Sequence, residues 1–300
     1  MLIIFSKKLI NFQSTVFILF FAFLTSAQNN DSISFFDQFN DKLSVNYESI
    51  SQWYLNDSYI DDQNLNLIGD EKLRSTNYLR LDYLFNDNFS AGLQLESFSP
   101  INLLNMSNLY DNDLGLATYY INYRNKKIDL TLGHFYEQFG SGLILRSWED
   151  RFLGINTALR GARLKIKINN DIGLTALYGR QRKGFELSKG DIFGINSSIN
   201  ISNLLNILQE GSLVGGLSYV GKNESYEKTN NEFEMEIPEL VNAFSSRINF
   251  SHKNFYSDVE YVSKSKDLRL NVLGPSSGVS FSENKAFKGS ALLWTVGYSK

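Results

Sequence analysis

Apolar and polar side chains alternate with a period of two along several segments of this chain, and short polar turns join one segment to the next. In the clearest example the apolar side of the first segment is formed by Leu79, Leu81, Tyr83 and Phe85, and the polar side by Arg80 and Asp82. After the turn Asn86-Asp87-Asn88, the apolar residues Ala91, Leu93 and Leu95 alternate with Gln94 and Glu96. Two alternating runs joined by such a turn predict a β-hairpin.

The same pattern recurs further along the chain. A second hairpin is predicted from Ala117, Tyr119, Ile121 and Tyr123 through the turn 124–127 to Ile128, Leu130, Leu132, His134 and Tyr136. A third runs from Ala162, Leu164, Ile166 and Ile168 to Ile172, Leu174, Ala176 and Tyr178. Less regular alternation marks 213–220, 246–250, 255–262 and 291–298. The sequence therefore predicts an all-β protein with roughly ten to twelve antiparallel strands.

Strand length and charge favour a transmembrane β-barrel over other all-β folds. Many predicted strands reach about ten residues, which exceeds the usual five or six of soluble sheets and matches a tilted crossing of a bilayer. In the third hairpin Arg163, Lys165 and Lys167 share the face opposite the apolar one, and a barrel would turn this face toward its polar lumen. A soluble, exported β-sandwich, with its apolar faces packed against each other, remains the alternative.

The N-terminus has the pattern of a secretory signal peptide. Lys7 and Lys8 precede the apolar run 16–24, and the small residues Ser26 and Ala27 follow. The run is shorter than the roughly 20 apolar residues of a membrane helix. We therefore predict a signal peptide over residues 1–27, cleaved after Ala27, and one barrel domain over residues 28–300, which reaches the outer membrane of a bacterium.

Composition excludes several other classes of protein. The 16 Tyr and 23 Phe suit strands and the aromatic girdles of a barrel. Because the chain has no Cys, it has no disulfides, no thiolate metal site and no lipid anchor on an N-terminal Cys. The net charge of −3 gives no reason to expect nucleic acid binding. The predicted partners are outer-membrane lipid, the barrel-insertion machinery and a protein partner of unknown identity; no cofactor is predicted.

The stretch from Gly133 to Arg163 does not have the pattern of a plain hairpin. Its sequence, GHFYEQFGSGLILRSWEDRFLGINTALRGAR, resembles a segment of outer-membrane β-barrel proteins of the Bacteroidota that contain domain of unknown function 6029. The resemblance implies an outer-membrane location and supplies no substrate, cofactor or catalytic residue. Members of that family tend to be longer, and this chain ends at Lys300 rather than on an aromatic residue. It is therefore expected to be either a fragment or a smaller barrel.

This stretch also carries the candidate site residues. The charges predicted to line the lumen or a constriction are Glu137, Arg146, Glu149, Asp150, Arg151, Arg160, Arg163, Lys165 and Lys167. In one interpretation the stretch folds into the lumen, where opposed charges set selectivity. In the other, the same charges form salt bridges that plug the lumen or fix strand register. The sequence leaves both open.

Evidence for catalysis or metal binding is weak. The chain has two histidines, His134 and His252, and Ser141 lacks the strand-turn-helix context of a nucleophile elbow. The acidic stretches 56–62 and 111–113 lack the spacing of an EF-hand loop and are predicted to be solvated. We predict no catalytic, cofactor or metal site. The functional candidates are a channel or uptake barrel, an accessory barrel of a surface or secretion assembly and, least favoured, an outer-membrane hydrolase.

Overall fold

The computed structural model describes residues 41–55, 73–98, 114–225, 238–272 and 279–299, with the backbone alone for 268–272 and 279–285. The predicted signal peptide and the acidic stretches 56–62 and 111–113 lie outside these residues. No helix in the described ranges is long and apolar enough to cross a membrane.

Sixteen strands and one short helix are found in the described residues. The strands are β1 (Leu43–Trp53), β2 (Leu73–Leu84), β3 (Phe89–Phe98), β4 (Leu114–Arg124), β5 (Ile128–Phe135), β6 (Gln138–Phe139), β7 (Leu145–Arg146), β8 (Glu149–Asp150), β9 (Ile155–Asn156), β10 (Leu159–Lys167), β11 (Ile172–Lys183), β12 (Glu186–Asn200), β13 (Gly211–Asn223), β14 (Leu240–His252), β15 (Phe255–Val272) and β16 (Val279–Tyr298). The helix, α1 (Ile201–Leu204), lies between β12 and β13.

Twelve of these strands form one antiparallel sheet, in the order β1-β2-β3-β4-β5-β10-β11-β12-β13-β14-β15-β16. The four two-residue strands pair separately, β6 with β7 and β8 with β9. The predicted all-β antiparallel fold and the predicted number of strands are confirmed. Within the described residues β1 and β16 stand at the two ends of the order, so closure of the sheet into a barrel stays a prediction.

The three turns of the predicted hairpins have the same hydrogen-bonding pattern. Each begins with an asparagine whose side-chain oxygen accepts hydrogen bonds from the backbone N–H groups two and three residues later, which closes an Asx turn. These asparagines are Asn86, Asn125 and Asn169. The β2–β3, β4–β5 and β10–β11 connections are therefore short because the sequence supplies a turn-forming side chain at each.

The chain divides into two compact units. Unit 1 contains Met1–Ile121 and Arg151–Gly154, and unit 2 contains Asn122–Asp150 and Ile155–Lys300. In unit 1 the register aligns Val45, Leu81 and Leu93 on one face of β1–β3. The other face carries Glu48, Tyr78, Gln94 and Glu96, of which the last three are buried.

In unit 2 the apolar face of the sheet is the exposed one. Leu217 and Ile248 lie on this face of β13 and β14, and Leu292 lies on it in β16; Leu217 is 65% exposed and Leu292 68%. On the opposite face Ser245 and Glu260 are each only 4% exposed. A soluble β-sandwich buries its apolar faces in a core, so this distribution is the reverse of the one expected for the sandwich.

A pair of glycines brings β10 and β11 close together. Gly161 opposes Gly179, and a β-carbon on Gly161 would collide with the carbonyl oxygen of Tyr178 and lie 2.6 Å from the α-carbon of Gly179. Because backbone atoms cannot move aside cheaply, we expect Gly161→Ala to lower the free energy of unfolding by about 1–3 kcal/mol. Denaturant unfolding of the detergent-solubilised protein would measure this.

The matched control for this change is Gly289→Ala. A β-carbon on Gly289 would meet nothing nearer than the Lys264 side chain at 3.8 Å, an ordinary contact. We expect this variant to unfold like the parent protein. Equal stability of the two variants would show that the close approach at Gly161 is absent in solution.

Candidate functional site

Residues 136–158, called here the inserted segment, leave the sheet between β5 and β10 and form the two small hairpins β6–β7 and β8–β9. The turn of the first hairpin contains Gly140 and Gly142, with φ of 56° and 92°. These values lie in the left-handed region that glycine adopts at no steric cost. The Gly142 N–H donates to the carbonyl oxygen of Phe139 at 3.0 Å. The Gly-Ser-Gly sequence thus forms a tight tip.

An apolar contact holds the first hairpin against the sheet in unit 2. Phe139 is completely buried, and it belongs to a cluster of buried apolar residues formed with Phe135, Leu145, Leu159, Leu177 and Val220. Gly194 of β12 leaves room for the Phe139 ring, because a β-carbon there would lie 2.9 Å from it. Burying a side chain of this size contributes roughly 1.5–3 kcal/mol. The mainly polar face of the sheet therefore includes an apolar patch against which the inserted segment packs.

A polar contact fixes the tip of the same hairpin. The Ser141 N–H donates to the Glu260 carboxylate of β15 at 2.8 Å, and the Ser245 hydroxyl of β14 donates to the same carboxylate. A β-carbon on Gly140 would lie 2.7 Å from Glu260 Oε1, so the glycine permits this close approach. The sequence did not identify Glu260, because 119 residues separate it from Ser141.

Arg247, the neighbour of Glu260, forms hydrogen bonds across the polar face of β12–β14. Its guanidinium donates to the Ser218 hydroxyl at 2.6 Å, to the Asn196 side-chain oxygen at 2.5 Å and to the Ser197 carbonyl oxygen at 3.1 Å. Arg247 also lies over Gly216, where a larger residue would collide with it. Arg247 and Glu260 are cross-strand partners, so opposite charges stand side by side on this face.

Three predicted site residues come together on the same face in unit 2. Glu137 lies 2.7 Å from Lys165 and 3.5 Å from Arg163, and Arg163 lies 3.3 Å from Asp129. Asp129 also accepts from Asn122 at 2.8 Å. Arg163 and Glu137 have side chains that are only 14% and 9% exposed. The network is therefore partly desolvated and internally paired, and Asp129 is a member that the sequence did not single out.

A fourth predicted residue, Arg151, is bound within unit 1. Its guanidinium pairs with the Glu48 carboxylate, donates to the Gln94 side-chain oxygen at 3.3 Å and lies 4.3 Å from the centroid of the Tyr78 ring. These three partners belong to β1, β2 and β3. The tip of the second hairpin thus contacts the polar face of these strands.

The other predicted charges are dispersed. Arg146 stacks on Trp148 at 4.6 Å, Glu149 accepts from Asn156 at 3.2 Å, and Asp150 opposes Ile155. Lys167 is exposed at the end of β10. Arg160 is exposed opposite Arg180 and His134, on the other face of β10 from Arg163, because successive strand residues point to opposite faces.

The residues considered for catalysis have separate structural positions. Ser141 forms the tip bound to Glu260, whereas His134 is buried in β5 and His252 ends β14. Within the described ranges, no group of three or more His, Asp or Glu side chains is arranged to hold a metal ion.

Comparisons with solved structures give matches of low similarity. OccK2 (OpdF) of Pseudomonas aeruginosa, solved in complex with glucuronate, is 10% identical with a TM-score of 0.35, and the match covers 74% of this chain and 63% of that one. OccAB3 of Acinetobacter baumannii is 10% identical with a TM-score of 0.36, covering 75% and 65%. A BenF-like porin from Pseudomonas fluorescens Pf-5 is 10% identical with a TM-score of 0.35, covering 86% and 98%.

The chain thus spans less than two thirds of the length of the first two structures. TM-scores of this size are too low to transfer a function or a substrate. No curated protein matches the sequence significantly. A family model does match: that of a family of unknown function, DUF6029, over residues 9–300.

Proposed function

Because the chain belongs to the DUF6029 family, which has no known function, its role has to be inferred from its own geometry, and we propose that it is an outer-membrane β-barrel that admits small polar solutes. On this proposal residues 1–27 are removed on export, and the inserted segment narrows the passage. The partners are outer-membrane lipid and the barrel-insertion machinery. The predicted resemblance to this family is confirmed by the family match.

The observation that carries this proposal is the exposure of the apolar face and the burial of the polar one. Lipid favours an apolar face on the outside of a barrel and leaves the polar groups inside. Most strands of the sheet have 10 to 13 residues, for example β3 and β14, whereas about 9–11 suffice to cross a bilayer at a tilt.

Aromatic side chains stand near both ends of this apolar face. At one end the rings of Phe193, Tyr219 and Phe244 are neighbours, with centroids 6.0 and 4.9 Å apart. At the other end Phe250 and Phe255 are 6.1 Å apart. Phe244 and Phe250 are six residues apart on β14, which corresponds to about 20 Å along the strand. Two such rows fit the aromatic girdles that flank the lipid-facing band of a barrel.

The polar face of unit 2 favours a passage over a filled plug. Lys165, Lys222 and Lys264 all lie on this face, and their side chains are 41%, 46% and 43% exposed. Water therefore reaches the face beside the inserted segment. Fixed, paired charges such as Glu137 and Lys165 could then select among solutes as they pass.

The first experiment is membrane fractionation of the expressed full chain, followed by gel electrophoresis with and without heating. We expect the chain to sediment with outer membranes, to require detergent and to migrate faster before heating, because a closed barrel resists unfolding by detergent at room temperature. The mass of the purified chain should correspond to a start at Gln28. A protein that is soluble without detergent would contradict the barrel.

Conductance in planar bilayers then tests the passage itself. Discrete single-channel steps are expected from the purified, heat-modifiable protein. A heat-modifiable protein that gives no conductance would contradict the passage and would favour the accessory barrel of a surface or secretion assembly.

A further inference from the structure

In unit 1 the guanidinium group of Arg151 is surrounded by three side chains of the sheet. These side chains come from three neighbouring strands: Glu48 of β1, Tyr78 of β2 and Gln94 of β3. Glu48 and Tyr78 are direct cross-strand partners, and Gln94 lies on the same face two residues before Glu96, the partner of Tyr78. The strand register therefore fixes the relative positions of all three.

The three partners match the chemistry of a guanidinium. A carboxylate pairs with its charge, an amide oxygen accepts from its N–H groups, and an aromatic face receives its plane. The Gln94 amide is oriented by a second contact, because its Nε2 donates to Glu96 Oε1 at 2.9 Å. This leaves the Gln94 carbonyl oxygen facing Arg151. Gln94, Glu96 and Tyr78 are each less than 5% exposed, so the site is held by packed side chains.

The turn that carries Arg151 is more exposed than the three residues around its guanidinium. Arg151 belongs to the turn Arg151–Gly154, which is closed by a long backbone hydrogen bond of 3.4 Å from the Gly154 N–H to the Arg151 carbonyl oxygen. In this turn Phe152 is 78% exposed and Leu153 is 53% exposed. The side chain of Glu48 is itself 39% exposed, which gives a solute an approach to the carboxylate.

We infer that Glu48, Tyr78 and Gln94 form a binding site for guanidinium-bearing solutes, and that Arg151 is an internal competitor for it. A solute gains access when the turn withdraws, and its apparent affinity is lowered by the fraction of time for which Arg151 occupies the site. The inference rests on the proposed function and deepens it, because it names the class of solute that the barrel would handle.

The test is isothermal titration of the full chain in detergent with L-arginine and with L-citrulline, its neutral analogue of nearly equal shape. We expect Arg151→Ala to bind L-arginine about tenfold more tightly than the parent protein, because the internal competitor is gone. Adding Glu48→Gln should weaken that binding by about tenfold, because the ionic hydrogen bond is lost. L-Citrulline should bind detectably to none of them.

The matched control is Arg180→Ala, which removes a guanidinium paired with Asp191 on the exposed face in unit 2. It should bind L-arginine as the parent does. Arg151→Gln, which keeps more of the side-chain volume, serves if the alanine variant loses heat modifiability. No gain of affinity in a folded Arg151 variant, or no loss on adding Glu48→Gln, would overturn the inference.

The outcomes separate this site from the proposed passage, because the titration needs only folded protein in detergent. Binding of L-arginine by a protein without conductance would overturn the passage and support the site. Conductance with no binding to the Arg151 variants would overturn the site and leave the passage standing.

Discussion

Replacement of Glu260 with alanine will release the tip of the inserted segment and raise the single-channel conductance of the protein. The change removes the acceptor of both the Ser141 N–H and the Ser245 hydroxyl. Hydrogen bonds to a charged group contribute about 1.5–3 kcal/mol each, so even one such loss lowers the docked population relative to the undocked one by at least about tenfold. The apolar cluster around Phe139 is unchanged, so we expect the tip to fluctuate while the fold is kept.

Two measurements would detect this release. Single-channel recordings should show larger or more variable steps, and trypsin should cut more rapidly after Arg146 in the first hairpin of the inserted segment. Glu260→Gln should have a smaller effect, because its amide oxygen can still accept from Ser141. The control is Glu210→Ala, which removes a carboxylate that is 68% exposed and pairs with Lys253. Unchanged conductance and proteolysis in a folded Glu260→Ala protein would show that this contact does not hold the tip.

The absence of cysteine allows a direct test of the same contact. The Ser141 backbone N–H and the Ser245 hydroxyl both donate to the Glu260 carboxylate, so the two residues lie on either side of one side chain. Cysteines introduced at both positions, together with Glu260→Ala, should form a disulfide on oxidation. We expect the oxidised protein to conduct like the parent and the reduced protein like the Glu260→Ala variant. Equal conductance before and after reduction would show that the position of the tip does not control the conductance.

Lysine at two exposed apolar positions will prevent assembly into the membrane. Leu217 and Ile248 lie on the apolar face of β13 and β14, between the two aromatic rows. A lysine at the bilayer midplane costs about 2–4 kcal/mol on the lipid face of a barrel, and two of them approach the total stability of many domains. The double variant Leu217→Lys/Ile248→Lys should therefore give no heat-modifiable protein in the membrane fraction.

The control distinguishes lipid from water as the neighbour of this face. Leu205, which follows α1, is 64% exposed, almost the same as Leu217, but it lies outside the sheet. We expect Leu205→Lys to assemble normally. If the double variant also assembles and migrates like the parent, the apolar face does not contact lipid.

The hairpins could be predicted from the sequence because the alternation and the turn residue of each hairpin lie within one short stretch of the chain. In β2 and β3 the alternation of Leu81 and Leu93 with Arg80 and Gln94 fixes the faces, and Asn86 forms the turn. The same signal was available for β1, where Leu43, Val45 and Tyr47 alternate with polar residues, but this strand was not identified from the sequence. β12 was also missed, because Ser197 interrupts its apolar side while Ile192 lies on the polar side.

The site was less predictable than the fold because its contacts join residues far apart in the chain. Proximity in sequence grouped Arg160 with Arg163, although strand alternation places them on opposite faces. Glu48 was not among the predicted site residues, because it lies 103 residues from Arg151 in the sequence. Alternation specifies the face on which a residue lies, whereas the partner of a loop residue depends on how the loop returns to the sheet.

The position of Phe139 has a consequence for the order of assembly. Phe139 packs in a cluster with Leu177 of β11 and Val220 of β13, and the tip beside it binds the Glu260 carboxylate of β15. None of these partners is in place until strands made much later in the chain have paired, and contacts between distant residues form slowly. The inserted segment will therefore dock after those strands have assembled, and its protection from hydrogen exchange would report that maturation is complete.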